Sequence, residues 1–510
     1  MGKYVGIDLG TTFSAVAYVD ENGNPQVIRN SEGDNITPSV VLFEDGNPVV
    51  GGQAKKEGRF CPGCYADFIK RHMGEKSFIF RDESGGNTYK PEEISSIILK
   101  QLKIDAENAL GDNIDGAVIT VPAYFTDLQR QATKDAAKIA GISVLALINE
   151  PTAAAIAFGV TKNILSKQII MIYDFGGGTF DVSILEIDKG NIKVLSTSGN
   201  STLGGYDIDK AIYDYVVSKA SDEGVDIEAD LEAKQLLMME SEEVKKSLSR
   251  KNKATVTTYV GGKKYSQVIE KEVFEEEIID NIIERTISIM EGAINEANLE
   301  YEQVDKILLV GGSTRIPLVR ERIKEETGIE PSQEIHPDEA VCIGAAIHAV
   351  DVAKKDKKAE NLPPVKGGYD LEDVTSHGIG VVVYDNERKE NYNSIIIEKN
   401  TPIPVEKAQD YLIPANSSGV EVQITSGEFE ELDYTVIIGA AVLETIPKDY
   451  DVPVRIVISC DSNSIIHATA IDLEENMNLG EINIDRSEHN MTEEEVSTAK
   501  IRINSLNIGK

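Results

Sequence analysis

The sequence has few cysteines, no long apolar run and no excess of basic residues. Its four cysteines are too few for the disulfide framework of a small secreted protein. No stretch approaches the roughly 18 consecutive apolar residues of a membrane span, so we expect no membrane association. The formal net charge of −35 gives a surface that repels phosphate backbones, so we expect no nucleic acid partner.

The N-terminal residues lack the features of a targeting segment. They read Met-Gly-Lys-Tyr-Val-Gly, without the apolar core and small-residue cleavage site of a signal peptide. Gly6 stands where a myristoylation motif has Ser or Thr. We therefore expect a cytoplasmic protein.

Cys61 and Cys64 have the spacing Cys-x-x-Cys, which suits a redox pair or half of a zinc site. No second pair and no thioredoxin-like context accompany them. The sequence therefore favours no function for this pair.

Two similar strand-turn-strand segments are present. Tyr4–Ile7 leads into Asp8-Leu9-Gly10-Thr11-Thr12, and Ile169–Tyr173 leads into Asp174-Phe175-Gly176-Gly177-Gly178-Thr179. Glycine-rich turns let several backbone N–H groups point at one anion. Two such turns on opposite lobes can hold a triphosphate, with Asp8 and Asp174 binding Mg²⁺ through water.

A third glycine-rich loop strengthens this interpretation, because either turn alone is typical of an ordinary hairpin. The apolar strand Ile307–Val310 runs into Gly311-Gly312-Ser313-Thr314-Arg315, and a helix is predicted after Pro317. A glycine-rich loop between a strand and a helix allows close approach of a nucleoside. The three elements together predict a nucleotide site.

The length of 510 residues predicts two to four domains. Strands alternate with helices, predicted over 126–139, 231–248 and 275–299, up to about residue 350, which indicates an α/β architecture. Short alternating β-rich runs follow, which is typical of a sandwich. We predict a nucleotide-binding ATPase domain over residues 1–355, an interdomain linker over 356–374, a β-sandwich over 375–488 and a short C-terminal helix over 489–510.

Five segments carry a resemblance to a known family. They are Ile7–Thr12, Val121–Phe125, Asn149–Ala155, Asp174–Val182 and Gly311–Arg315. In this order they resemble the heat-shock protein 70 (DnaK-type) molecular chaperone family. The resemblance is specific over the first 350 residues and weaker to about residue 500.

The resemblance implies a two-lobed, actin-like ATPase domain with ATP or ADP in the cleft, followed by an all-β peptide-binding sandwich. It implies Mg²⁺ as a cofactor, and K⁺ beside Asp8 and Asp181. Lys70 matches the lysine at the γ-phosphate, which the sequence alone does not distinguish from a surface lysine. The implied catalytic residues are Lys70, Glu150, Asp174 and Thr179, and the implied metal-binding residues are Asp8, Asp174 and Asp181.

The remaining nucleotide contacts are also implied by the resemblance. Glu242, Lys245, Lys246 and Ser249 share one helical face, which by itself is typical of a solvated surface. The resemblance assigns that face to adenosine, with the Lys246 stem on adenine. The full implied set is Gly10, Thr11, Thr12, Phe13, Gly176, Gly177, Gly178, Thr179, Gly204, Gly205, Glu242, Lys245, Lys246, Ser249, Gly311, Gly312, Ser313, Arg315 and Asp338.

The β-rich region resembles the peptide-binding domain of the family, in which an extended apolar peptide lies in a groove. Apolar strand residues are more often core than groove. The implied groove residues are Ile379, Val381, Val382, Tyr411, Val420 and Val422. The implied partners are unfolded polypeptide, a J-domain co-chaperone and a nucleotide-exchange factor.

The sequence departs from the family at three places. Tyr206 stands where the family usually has an acid, which puts lobe-closing contacts in question. Residues 366–373 are more polar than the leucine-rich family linker, which puts coupling between nucleotide and peptide in question. After Met491 only about 20 residues follow, where the family has a helical lid, so we expect fast peptide release.

We predict an ATP-dependent molecular chaperone that slowly hydrolyses ATP to ADP and phosphate and acts in protein folding and stress response. One alternative is an ATP-stabilised holdase or nucleotide-exchange partner with little hydrolysis. A further alternative is a sugar or acid kinase that shares the two-lobed fold. ATP turnover that responds to unfolded peptide, and not to a small metabolite, would distinguish the chaperone from both.

Overall fold

The computed structural model of the chain describes residues 3–162, 164, 166–332, 334–355, 362–365, 368–482 and 490–508. Two lobes enclose a cleft, and a β-sandwich and a terminal helix pack against them. Within these ranges no helix is long and apolar enough to cross a bilayer.

Lobe I is built on a sheet with the strand order β11-β10-β1-β2-β3, in which β4 also pairs with β2. Its outer face is covered by α2 and α3. Its elements are β1 (Tyr4–Asp8), β2 (Phe13–Val19), β3 (Pro25–Ile28), β4 (Thr37–Pro38), β5 (Val41–Glu44), β6 (Asn47–Val50), α1 (Gly52–Glu57), β7 (Tyr65–Ala66), β8 (Phe80–Arg81), β9 (Thr88–Tyr89), α2 (Pro91–Leu110), β10 (Gly116–Val121), α3 (Asp127–Ala140), β11 (Val144–Asn149) and α4 (Glu150–Lys162).

Lobe II repeats the opening hairpin, since β12 pairs with β13 as β1 pairs with β2. Its elements are β12 (Gln168–Phe175), β13 (Phe180–Asp188), β14 (Asn191–Asn200), α5 (Gly205–Asp222), α6 (Leu231–Leu248), β15 (Lys253–Val260), β16 (Lys263–Glu270), α7 (Lys271–Val273), α8 (Asp280–Glu296), β17 (Lys306–Val310), α9 (Pro317–Thr327) and α10 (Ala340–Lys355).

Helices α4 and α10 lie between the two sheets and form a core shared by both lobes. Their small side chains allow a close crossing: a Cβ on Gly344 would lie 1.7 Å from the carbonyl oxygen of Ala153. The two lobes are therefore joined through a buried apolar core formed around these two helices.

The last part of the predicted linker forms a regular strand. Strand β18 (Asp370–Val374) pairs in parallel with β14 and extends the lobe II sheet. Tyr369 and Leu371 face the shared core, whereas Asp370 and Glu372 are exposed. Because alternate residues of a strand face opposite sides, the linker can pack on the core through every second residue although its other residues are polar. Of the predicted linker, residues 356–361, 366 and 367 lie outside the described residues.

The β-sandwich has one sheet ordered β20-β19-β23-β24 and another ordered β22-β25-β26-β27. Buried aliphatic side chains from both sheets form its core. The remaining elements are β19 (Ile379–Asp385), β20 (Glu390–Ile397), β21 (Pro402–Ile403), β22 (Val405–Ile413), β23 (Gly419–Ser426), β24 (Val436–Glu444), β25 (Val452–Cys460), β26 (Ile466–Asp472), β27 (Met477–Ile482) and α11 (Glu493–Ser505).

The sandwich contacts both lobes of the ATPase domain. Asp127 accepts a hydrogen bond from the backbone of Ile466 at 3.2 Å, and Asn463 accepts one from Leu147 at 3.0 Å. On lobe II, Asn400 accepts a hydrogen bond from the Thr197 backbone at 3.0 Å. These contacts place the β25–β26 turn of the sandwich against α3 and β11 of lobe I, and the segment before β21 against β14 of lobe II.

Helix α11 packs on α3 and α2 of lobe I. Val496, Ala499 and Ile503 join the lobe I core, and Lys90 forms an ion pair of 2.6 Å with Glu495.

Cys61 and Cys64 form a disulfide at the edge of lobe I, near α6.

Candidate nucleotide site

The two glycine-rich turns meet at the bottom of the cleft between the lobes. A Cβ on Gly177 would lie 2.3 Å from Thr12 Oγ1, and a Cβ on Gly178 would lie 2.5 Å from Thr11 Cγ2. Only glycine permits this approach without displacing the opposite turn. The β1–β2 turn and the β12–β13 turn therefore lie directly against each other at the bottom of the cleft.

The cleft above these turns has a volume of about 330 Å³. Most of the predicted site residues line it, and they come from both lobes: Asp8, Gly10, Thr11, Thr12, Phe13, Lys70, Glu150, Asp174, Gly176, Gly177, Thr179, Glu242, Lys245, Lys246, Ser249, Gly311, Gly312, Ser313, Arg315 and Asp338.

Lys70 is the basic residue at the inner end of the cleft. It lies on a short 3-10 turn, Ile69–His72, and only 6% of it is exposed. Its Nζ atom donates a hydrogen bond of 2.6 Å to Oε1 of Glu150, the first residue of α4. This contact fixes the Lys70 ammonium group beside the two glycine-rich turns.

Four carboxylates, those of Asp8, Glu150, Asp174 and Asp181, surround this lysine, and burial is the largest influence on the pKa values of the three aspartates. Burial and the charge of Glu150 raise the pKa of Asp8 and that of Asp181 to about 7. The same two causes raise the pKa of Asp174 well above its ordinary value. Such an excess of buried acid favours a bound cation.

The geometry fits a cation that keeps its own water. Among the described residues, no three of these or other acidic, histidine or cysteine side chains are placed to hold one metal ion directly. Mg²⁺ is commonly held in this way, through one or two carboxylates, water and phosphate oxygens. Asp8 and Asp174 would hold it, and it would supply neutralisation of phosphate charge.

The side of the cleft predicted to bind the nucleoside is built from lobe II. Ser313 donates a hydrogen bond of 2.8 Å to the carbonyl oxygen of Gly176, which ties the third glycine loop to the second. Lys245 donates one of 2.9 Å to the carbonyl oxygen of Gly205 and also pairs with Asp209. The α6 face predicted to contact adenosine therefore borders the phosphate loop.

Some predicted residues lie behind the cleft wall. Gly204 packs on the second turn, where a Cβ would lie 2.5 Å from the nitrogen of Gly178. Asp181 accepts a hydrogen bond of 2.9 Å from the Tyr124 backbone. The set outside the lining is Gly178, Gly204, Gly205 and Asp181.

Sequence reasoning missed other lining residues because they carry no motif. Apolar or single basic side chains of this kind become visible only once the lobes are assembled. They include Ile36, Arg250, Pro337 and Val341.

The predicted peptide-groove residues lie in the sandwich. Ile379, Val381 and Val422 are buried in its core. Tyr411 and Val420 pack partly buried against that core, and Val382 is half-buried. Their contact with peptide stays a prediction.

A comparison with protein-family models supports the nucleotide site and the two-part architecture together. The Hsp70 protein family matches residues 4–505, which span both lobes, the sandwich and α11. Members of that family are ATP-dependent chaperones that bind ATP or ADP with Mg²⁺, unfolded polypeptides and their co-chaperones. With this match over nearly its whole length, the chain belongs to the Hsp70 family.

Proposed function

We propose that this chain binds Mg-ATP between the β1–β2 and β12–β13 turns, hydrolyses it slowly, and binds extended apolar segments of unfolded proteins. The meeting of these two turns around the Lys70–Glu150 pair carries the proposal. The partners we propose are those of the family, a J-domain co-chaperone and a nucleotide-exchange factor.

Each residue at the inner end of the cleft has a separate role. Backbone N–H groups of the turns cradle the phosphates, and Lys70 neutralises charge on the terminal one. Glu150 orients Lys70 and accepts a hydrogen bond from the attacking water. Thr179 orients the terminal phosphate from lobe II. Because positioning and charge supply the catalysis, and no strong base is needed, turnover is slow.

The roles of the two metal ions, Mg²⁺ and K⁺, can be distinguished by exchanging the monovalent cation. Asp8 and Asp174 hold Mg²⁺ through water, and Asp8 and Asp181 also accept K⁺. Replacing K⁺ with Na⁺ should lower the hydrolysis rate more than the affinity for Mg-ATP. An unchanged rate would remove K⁺ from the proposal.

The linker supports coupling between nucleotide and peptide. Asp373 accepts hydrogen bonds of 3.2 Å from both Asn149 and Thr152, which flank Glu150. A movement of β18 would therefore shift the start of α4 and with it Glu150, which orients Lys70. This gives both sites a shared element whose position each can bias.

The family match across the β-sandwich favours a chaperone over a sugar or acid kinase. The holdase alternative differs only in hydrolysis. It predicts an ATPase rate that stays flat when apolar peptide or a J-domain protein is added.

The test is Mg-ATP binding by calorimetry and the ATPase rate with and without an apolar peptide. Wild type should bind Mg-ATP and turn over faster with peptide. Lys70→Ala should bind Mg-ATP but hydrolyse it at least about a hundredfold more slowly, because it loses the charge on the terminal phosphate. Lys264→Ala, at an exposed position on β16, is the matched control.

Two results would contradict this assignment. Absence of binding heat with wild type would remove the nucleotide site. Normal turnover by Lys70→Ala would remove the catalytic role of that residue.

A further inference from the structure

Tyr206 and Asp207 of lobe II contact the short turn of lobe I that carries Lys70. Arg71 directs its guanidinium to Asp207, with Nη1 at 3.1 Å from Oδ2 and Nη2 at 3.2 Å from Oδ1. Arg71 Nη2 also donates a hydrogen bond of 2.8 Å to the carbonyl oxygen of Thr202. This is a bidentate contact across the cleft, made by the neighbour of Lys70.

The ring of Tyr206 fills the space between Arg71 and Phe68. The guanidinium carbon of Arg71 lies 4.6 Å from the centre of that ring. The Phe68 ring meets it edge-on, with centroids 4.6 Å apart. Both contacts are within the range of favourable cation–π and aromatic pairs. Tyr206 thus touches the residues on either side of the Ile69–Lys70 step.

The backbone of Phe68 is held in an uncommon conformation. Its φ is 52°, in the left-handed region, which a bulky residue rarely adopts. Such residues persist where surrounding contacts determine them. The contact of Phe68 with Tyr206 is one of these, and it lies two residues before Lys70.

On its other side, Tyr206 is joined to the phosphate-binding turn of lobe II. Its backbone nitrogen donates a hydrogen bond of 2.7 Å to the carbonyl oxygen of Gly177. Asp207 accepts a hydrogen bond of 2.7 Å from the nitrogen of Gly204 at the start of α5. The Tyr206–Asp207 segment therefore connects the second glycine turn to the turn that bears Lys70.

We propose that Phe68, Arg71, Tyr206 and Asp207 form a cross-cleft latch that positions Lys70 over the phosphate held by lobe II. The proposal rests on the proposed ATP hydrolysis. Tyr206 and Arg71 are positioning residues, because they act through Lys70. The tyrosine at position 206 supplies a ring contact that an acid would not.

The latch predicts a particular kinetic pattern. Lys70 keeps its hydrogen bond to Glu150 within lobe I when the latch is removed, but its distance from the lobe II turn is no longer fixed. Tyr206→Ala should therefore slow single-turnover hydrolysis about tenfold and speed the release of fluorescent Mg-ADP by a similar factor. Tyr206→Phe should behave as wild type, because the ring is kept.

Arg71→Lys gives an independent readout. Lysine keeps the charge but loses the planar, bidentate and stacked contacts. We expect it to reproduce the Tyr206→Ala rates, and the double variant to be no slower than either single variant. Additive losses would mean that the two residues act separately, which would overturn the latch.

The control is Tyr215→Ala on the same helix. The ring centre of Tyr215 also lies 5.3 Å from a cation, the Nζ atom of Lys219. Tyr215 packs against the lobe II core and not against the turn that carries Lys70. It should leave both rates unchanged. If Tyr206→Ala does not fold, as judged by its thermal transition, Arg71→Lys alone decides the test.

The outcomes separate this proposal from the function on which it rests. Wild type that fails to bind Mg-ATP would overturn both. Wild type that binds and hydrolyses Mg-ATP, with Tyr206→Ala or Arg71→Lys equal to it in both rates, would overturn the latch alone.

Discussion

The Nδ1 atom of His348 on α10 lies 2.7 Å from the hydroxyl of Tyr369, the residue that precedes linker strand β18. Tyr369 is buried and His348 is half-buried where the linker meets the shared core of the two lobes. The hydrogen bond fixes the linker to the ATPase domain where the family has leucines. The two partners are neutral in this contact, which makes the linker sensitive to acid.

Acid should weaken the docking of the linker. Burial lowers the pKa of His348 from 6.5 to about 4, with a small opposing effect of Asp351 and a further lowering by Lys355. As the pH falls from about 6.5 to about 4, an exposed histidine takes up its proton before the buried one does. The free energy that holds the linker docked is therefore fully present above pH 6.5 and is smaller by about 2 kcal/mol at pH 5.

Hydrogen exchange of the Asp370–Val374 amides, corrected for intrinsic rates, measures this effect. The loss of protection between pH 7 and pH 5 should disappear in His348→Gln and remain in His467→Gln, which changes an exposed histidine. Equal pH dependence in wild type and His348→Gln would contradict the assignment.

Local signals predicted several elements well. The helix predicted over 126–139 is α3, which begins after a capping box at Thr126 and ends at Gly141 in the left-handed conformation. The capping box at Thr492 likewise begins α11. Caps and stops depend on a few neighbouring residues, so a sequence displays them directly.

Other expectations failed where distant contacts decide the structure. The helix predicted over 275–299 is interrupted, because Phe274–Ile278 is a π-helical turn and α8 begins at Asp280. β18 depends on pairing with β14, which lies far away in sequence.

In the candidate site, too, the sequence predicts the local turns but not the contacts between distant residues. Each glycine turn was visible alone, but their mutual approach, the Arg71–Asp207 contact and the Lys55–Glu242 pair join residues from opposite lobes. No local pattern encodes which side chains meet when two lobes close.

Adding a methyl group at Gly177 should damage nucleotide binding. Its Cβ would lie 2.3 Å from Thr12 Oγ1, and a new Thr12 rotamer gives no relief because the Cβ of Thr12 itself is at 2.9 Å. The turns must separate, so Gly177→Ala should bind Mg-ATP at least about tenfold more weakly by calorimetry. Gly292→Ala on α8, where nothing lies within 4 Å of the added methyl, should bind normally. Unchanged affinity in Gly177→Ala would mean that the turns do not hold nucleotide together.

Ile503 should anchor α11 on lobe I. Its side chain is 0% exposed within the lobe I core, whereas Ile501 on the same helix is 75% exposed. Ile503→Ala should weaken docking of the helix by about 3 kcal/mol, seen as faster hydrogen exchange over Glu493–Ser505. Ile501→Ala should exchange as wild type does. Similar protection in both variants would show that the helix is held by its polar contacts instead.

The Lys55–Glu242 pair should slow nucleotide release. Lys55 Nζ lies 2.7 Å from Glu242 Oε2 and joins α1 of lobe I to α6 of lobe II over the cleft. Burial alone would raise the pKa of Glu242, but the charges of Lys55 and Lys246 lower it to about 2, so the pair stays ionised at neutral pH.

Lys55→Met tests this contact without altering a predicted nucleotide contact. It should release fluorescent Mg-ADP about tenfold faster, since a partly buried ion pair of this kind contributes about 1 kcal/mol or more. High salt should have little further effect on the variant but should accelerate wild type. Glu232→Gln, which changes an exposed glutamate at the first turn of α6, away from Lys246, is the control and should release at the wild-type rate. A Lys55→Met rate equal to that of wild type at low salt would show that this pair does not restrain the lobes.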